Sequence, residues 1–134
     1  LRATFLEQIL VPTIANVTKA CLRIKKRFPE WKSMTTDNDL LFQRHKELEK
    51  KLQIKIYFCF PGHMWEKPSV ENANGYIRRY IPKSSDISRY SKGFVKKIEE
   101  KMNRRYMKVL KYRAPQEMLN MYRKHKKRLR ALRK

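Results

Sequence analysis

An α/β fold, with helices packed on a sheet, is the architecture this sequence predicts. Short β-prone runs alternate with stretches whose apolar residues recur at steps of three and four. Proline and glycine punctuate the boundaries between them. Read in order, the elements run β-α-β-α-β-α and then continue as helices, which is the pattern of helices laid against a sheet.

The run Thr4-Phe5-Leu6-Glu7-Gln8-Ile9-Leu10-Val11 reads as a strand, stopped by Pro12. From Thr13 onward, Ile14, Val17, Cys21, Ile24 and Phe28 mark one face of an amphipathic helix, with Lys and Arg on the other. Pro29 ends it. Ser33-Met34-Thr35-Thr36 is short and β-prone, and it delivers Asp37. Leu41, Leu48 and Leu52 outline a second helix for which Asp39 is an available N-cap. Ile54, Ile56 and Phe58 then alternate with Lys55 and Tyr57, the period of a strand.

Phe60 to Ser69 carries two prolines and a glycine and reads as a loop. Ser69 can cap the next helix, whose apolar face is Val70, Ala73, Ile77 and Tyr80. Glu71, Asn74, Gly75 and Arg78 fall on a different face, and Glu71 lies in the first turn, where the helix dipole favours negative charge. Pro82 ends this helix. Val95, Ile98 and Met102 outline a fourth. Pro115 at the first position and Glu117 in the first turn start a fifth, carrying Met118, Met121 and Tyr122. No acid follows Glu117, and Arg123 to Lys134 holds eight Lys or Arg. That tail is either a solvated, partly disordered helix end or an arm that tracks phosphates, with Arg123, Lys124, Lys126, Lys127 and Arg128 as its contacts.

A chain of 134 residues fits one domain of ordinary size. It starts at Leu1 rather than Met, so we expect a piece of a longer protein or of a degraded coding region. No apolar stretch approaches the roughly 20 residues that cross a bilayer, and Arg2 and Glu7 interrupt the first ten residues where a secretory signal would lie. Lys and Arg number 34 against 12 acids, a formal net charge of +22. Self-repulsion at that level opposes compaction unless a polyanion is bound, and nucleic acid answers that need by releasing counterions. Cys21 and Cys59 are the two cysteines, which suits a reducing cytoplasm rather than a disulfide framework. Cys59 with His63 is half of a zinc site with no second half at ligand spacing, so a buried thiol at a strand end is the better reading.

Asp37 closes a β-prone run and Glu71 opens a helix, with 33 residues between them. Carboxylates so placed suit metal-dependent phosphoryl transfer, because hard divalent cations prefer oxygen ligands. Their surroundings strengthen the reading. The segment from Trp65 to Lys83, with Glu71-Asn72-Ala73-Asn74-Gly75, Arg78 and Pro82-Lys83 before Asp86, resembles the signature of the insertion-sequence-thirty family of DDE transposases, whose catalytic core is similar to retroviral integrase. Thr36-Asp37-Asn38 with Phe42 resembles the family's Asp-Asn-Gly run. Asn103, Lys108, Leu110, Tyr112, Pro115 and Glu117 fall on its terminal pattern without gaps. The likeness covers about residues 33 to 119.

The resemblance implies an RNase H-like mixed sheet with flanking helices, incomplete at the N-terminus, over residues 1–90, and a basic helical extension over residues 91–134. It implies Asp37 and Glu71 as the second and third catalytic carboxylates and as ligands of Mg²⁺ or Mn²⁺. Asn72 and Asn74 would orient the carboxylate or contact DNA, and Arg78, Arg79 and Lys83 would hold the backbone. Transposon ends and target DNA are the implied partners, with a homo-oligomer for the full-length protein, no membrane, and a bacterial cytoplasmic, nucleoid-associated location. Trp65 reads as a turn anchor in preference to a base-stacking group. The sequence departs from the family at Asp39 and Lys111, where Gly is usual, at Lys67-Pro68, and at Tyr106-Met107. It also has no Asp among residues 1 to 36, where the first catalytic Asp would be sought. A non-catalytic, basic DNA-binding remnant is therefore the alternative reading, and a basic RNA- or ribosome-associated module is a weaker third.

Overall fold

The structure is a computed structural model that describes residues 2–37, 43–59 and 68–133. It is mixed α/β, with five α-helices and a two-stranded sheet among the described residues. Helix α1 spans Ile14–Arg27, strand β1 Ser33–Thr36, α2 His45–Leu52, β2 Lys55–Phe58, α3 Pro68–Ile77, α4 Lys92–Arg104 and α5 Pro115–Leu132. The chain divides into two compact units. One comprises Glu7–Asn72 with Asp86–Arg89; the other comprises Leu1–Leu6, Ala73–Ser85 and Tyr90–Lys134.

In the first unit, β1 and β2 pair in parallel, Ser33 against Lys55 through to Thr36 against Phe58. Helix α2 makes the crossover that a parallel pair requires. Val17 and Cys21 from α1, Leu48 and Leu52 from α2, and Ile54 and Ile56 form the core, with Ile9, Leu22, Trp31, Met34 and Phe58 packed around it. Thr13 caps α1 by accepting the Asn16 amide at 3.1 Å. Lys25, Lys26 and Arg27 in its last turn suit the negative end of the dipole. The Lys25 ammonium also donates to the carbonyls of Pro29 and Trp31, tying the turn that enters β1. Burial pushes the Cys21 thiol above its ordinary value. The Ile56 amide faces away from β1 and donates to Glu49 Oε1 at 2.9 Å, so a helix side chain occupies the outer edge of β2.

In the second unit, α4 and α5 pack on each other, burying Ile98, Met102, Ala114, Pro115 and Leu119. Ser91 caps α4 by accepting the Phe94 amide at 3.1 Å, and Glu117 accepts the Ala114 amide at the start of α5. Met107 and Arg113 bridge antiparallel across the intervening turn, where Lys111 and Tyr112 adopt left-handed φ values of 54° and 62°.

Four expectations require correction. The run Thr4–Val11 forms no strand. Its Thr4 and Leu6 amides donate instead to Asn103 Oδ1 and Glu99 Oε2, both at 2.7 Å, and Asn103 Nδ2 returns a bond to the Thr4 carbonyl at 2.8 Å. Side chains of α4 take the place of a neighbouring strand. Ser69 does not cap α3: Pro68 already begins the helix, as a residue without an amide proton does readily. That helix ends at Ile77 rather than at Pro82, because the amides of Arg79 and Tyr80 reach back only three residues to Tyr76 and Ile77 and tighten the last turn. On α3 and α5, Val70, Met121 and Tyr122 are exposed, and Leu119 supplies the buried contact of α5. The proposed Asp39 cap, Leu41, the Phe60–Lys67 loop, His63 and Trp65 lie outside the described residues.

Candidate functional site

Asp37 is the residue immediately after β1. The Cys59 amide donates to the Thr36 carbonyl at 2.9 Å, so the ladder stays closed up to the residue before it. The Asp37 side chain is exposed. Because β2 runs parallel to β1, both carboxyl ends lie on one edge of the sheet. In open α/β sheets that edge is where ligands bind. The chain leaves β2 from the same edge and next forms α3, whose first turn holds Glu71, also exposed. Asp37 and Glu71 fall within one compact unit. Among the described residues no three His, Cys, Asp or Glu side chains converge into a metal-binding group.

Beyond Glu71, the residues Asn72, Asn74, Gly75 and Arg78 on α3 and its extension are all exposed. A methyl group built at Gly75 meets no atom of the described residues within 4 Å, so none of them requires glycine there. Arg79 is exposed with its guanidinium 5.5 Å from the centre of the Tyr76 ring, and Lys83 is exposed beyond the helix. Asp86 accepts the Ser88 hydroxyl at 2.7 Å and the Ser88 amide at 3.0 Å. Those bonds, the hydroxyl's first, hold its carboxyl below the ordinary aspartate value. On α5 the basic run is helical through Leu132. Lys124, Lys127 and Arg128 are exposed and Arg123 and Lys126 half-buried, with the Lys126 ammonium 6.0 Å from the Tyr122 ring centre.

Sequence reading passed over a cluster in the second unit. Tyr76 and Tyr80 lie with ring centres 5.7 Å apart. The Lys101 ammonium of α4 sits 5.1 Å from the Tyr80 ring centre, and the guanidinium of Arg105, the residue after α4, 4.7 Å from that of Tyr76. The signal was present as two pairs at spacing i, i+4, one tyrosine pair and one cation pair, each presenting neighbouring side chains. Nothing in the sequence said that the pairs would face each other.

These features describe a strongly basic α/β chain with exposed carboxylates at the end of a strand and at the start of the helix that follows the sheet. The proteins it resembles are transposases. It is 47% identical over 85 residues to the transposase of insertion sequence element IS4351 from Bacteroides fragilis, 63% of this chain and 26% of that protein. It is 34% identical over 88 residues to transposase InsI of element IS30A from Escherichia coli, 66% of this chain and 23% of that protein. It is 34% identical over 91 residues to the transposase of element IS1086 from Cupriavidus metallidurans, 68% of this chain and 27% of that protein. No protein-family model matches the chain. Over about two thirds of its length the chain is similar to transposases of the insertion-sequence-thirty family, and it spans about a quarter of the length of the curated relatives it matches.

Proposed function

We propose that this chain is part of the catalytic core of a transposase that cuts and joins DNA by divalent-metal phosphodiester chemistry on an RNase H-like fold. The observation that carries the reading is the topological placement of the two acids: Asp37 directly after β1 and Glu71 in the first turn of the helix that follows its parallel partner β2. Transposases among the relatives point the same way. The donor set fits Mg²⁺ or Mn²⁺, since both groups are carboxylates and such cations take one or two of these together with substrate phosphates and water. When bound, the cation supplies Lewis-acid stabilisation of the phosphoryl oxygens and a more acidic water.

The remaining roles belong to the chain's own residues. Asp37 and Glu71 hold the cation. Asn72 and Asn74, carrying amide donors and acceptors beside Glu71, orient its carboxylate or bind DNA. Arg78, Arg79 and Lys83 fix the phosphate backbone without reading bases, and Arg123, Lys124, Lys126, Lys127 and Arg128 extend that contact along α5. Transposon ends and target DNA are the partners, and the full-length protein acts as a homo-oligomer. No helix among the described residues is long and apolar enough to cross a membrane.

Mn²⁺ titration followed by amide NMR tests the pairing of the acids. Signals of residues 36–37 and 70–72 broaden together, and both Asp37→Asn and Glu71→Gln abolish the broadening at both places. Broadening at one place alone, or scattered over other acids, removes the proposal. A second reading, a DNA-binding remnant that does not cut, rests on the formal net charge of +22, which suits DNA binding with or without cleavage. On either reading the chain by itself with Mg²⁺ leaves terminal-repeat DNA intact; Glu71-dependent nicking would show a complete site.

A further inference from the structure

We propose that Tyr76, Tyr80, Lys101 and Arg105, with Arg79, form a clamp for the phosphate backbone of DNA. The inference rests on the reading that the chain binds DNA, and it assigns a contact that the family resemblance did not supply. Three cations gather on two tyrosine rings: Arg105 and Arg79 lie 4.7 and 5.5 Å from the centre of Tyr76, and Lys101 lies 5.1 Å from that of Tyr80. All three cationic residues are exposed, and among the described residues none forms an ion pair with a carboxylate.

The means of holding these cations matters. A salt bridge would fix their positions and cancel their charge. A ring quadrupole fixes them and leaves the charge in place. A guanidinium against a ring keeps its five in-plane N–H donors free for phosphate oxygens. The rings bring no compensating negative charge. The neighbouring Tyr80 hydroxyl, above burial, pushes the Tyr76 hydroxyl above its ordinary value. Like charges assembled this way repel one another in the free protein, and a polyanion relieves that cost. The occupant is the backbone rather than a base. Both rings are half-buried and have cations against them, so the stacking surfaces that single-strand binders offer are already taken.

The test is binding of the whole chain to a short, labelled DNA duplex of arbitrary sequence, followed by fluorescence anisotropy over a series of salt concentrations. Each phosphate contact contributes a slope of about 0.9 in log K against log salt, so K101Q/R105Q lowers the slope by about 1.8 and affinity by about 30-fold at about 0.15 M salt. The control K108Q/K111Q removes the same charge from the turn after α4 and changes both far less. Y76L weakens binding at unchanged net charge, because Arg105 and Arg79 lose the surface that orders them. Equal slopes for K101Q/R105Q and the control overturn the clamp, and a Y76L chain that binds like the parent overturns the part played by the rings. Wild-type binding that ignores salt is a different failure, since it removes the DNA reading itself.

Discussion

Asn103→Ala should release the N-terminal segment while leaving the helices that hold it intact. Asn103 is 6% exposed, and its carboxamide accepts the Thr4 amide at 2.7 Å and donates to the Thr4 carbonyl at 2.8 Å. Two hydrogen bonds contribute about 1 kcal/mol each, so docking of residues 2–6 weakens by about 2 kcal/mol. The loss is capped near that value when the released amides hydrate instead of remaining buried and unpaired. Hydrogen exchange reads this directly: about 2 kcal/mol of local opening is roughly a 30-fold faster exchange of the Thr4 amide. The amides of Ile98 and Leu119, within the α4–α5 core, should change far less. Glu99→Gln keeps an acceptor for the Leu6 amide and should cost less than Glu99→Leu, which keeps none. If Asn103→Ala speeds exchange throughout α4 and α5 equally, or leaves Thr4 unchanged, the side-chain clamp is not what holds this segment.

Gly75→Ala should stabilise the chain by about 0.8–1 kcal/mol, since the position is inside α3 and a methyl group there meets no atom of the described residues within 4 Å. That corresponds to a rise of roughly 3 °C in Tm by circular dichroism, and a lower Tm would refute the open-surface geometry. Asp86 titrates below the ordinary aspartate value because Ser88 donates to its charged form. Its turn is therefore held fully above the unfolded carboxyl's range and loosens only as pH falls through the lower folded value. Ser88→Ala removes the larger of these donors and should move the Asp86 midpoint up toward the ordinary value; an NMR titration with an unmoved midpoint contradicts that cause.

The elements that periodicity announced are those whose packing is local. Ile14 to Arg27 formed α1, Ser33 to Thr36 formed β1, and the alternation of Ile54, Ile56 and Phe58 gave β2. Asp37 and Glu71 stand at a strand end and in a first helical turn because Thr36 and Pro68 set those boundaries locally. The resemblance also carried a backbone message. It marked Lys111 as a place where Gly is usual, and Lys111 has φ 54°, the left-handed region that glycine enters at no steric cost. What could not be read was long-range pairing. The Tyr76–Tyr80 pair and the Lys101–Arg105 pair are separated by a turn and most of a helix, and each alone looks like a solvated helical face.

The failed strand at Thr4 shows most clearly where such reading stops. Alternation fixes an extended backbone, whose same-side amides recur about every 6.6 Å. A helix face places residues i and i+4 about 6 Å apart along its axis. Those two repeats nearly coincide, so an acceptor pair on a helix can stand in for an adjacent strand. Glu99 and Asn103 do this for Leu6 and Thr4, in an order that runs antiparallel to α4. Glu49 does it once more for Ile56 on the outer edge of β2. In both places a side chain that reads as ordinary helix polarity satisfies a backbone donor that a sheet would otherwise bond. The pattern within a run therefore left the partner unspecified: it lies 99 residues away for Thr4 and only seven for Ile56.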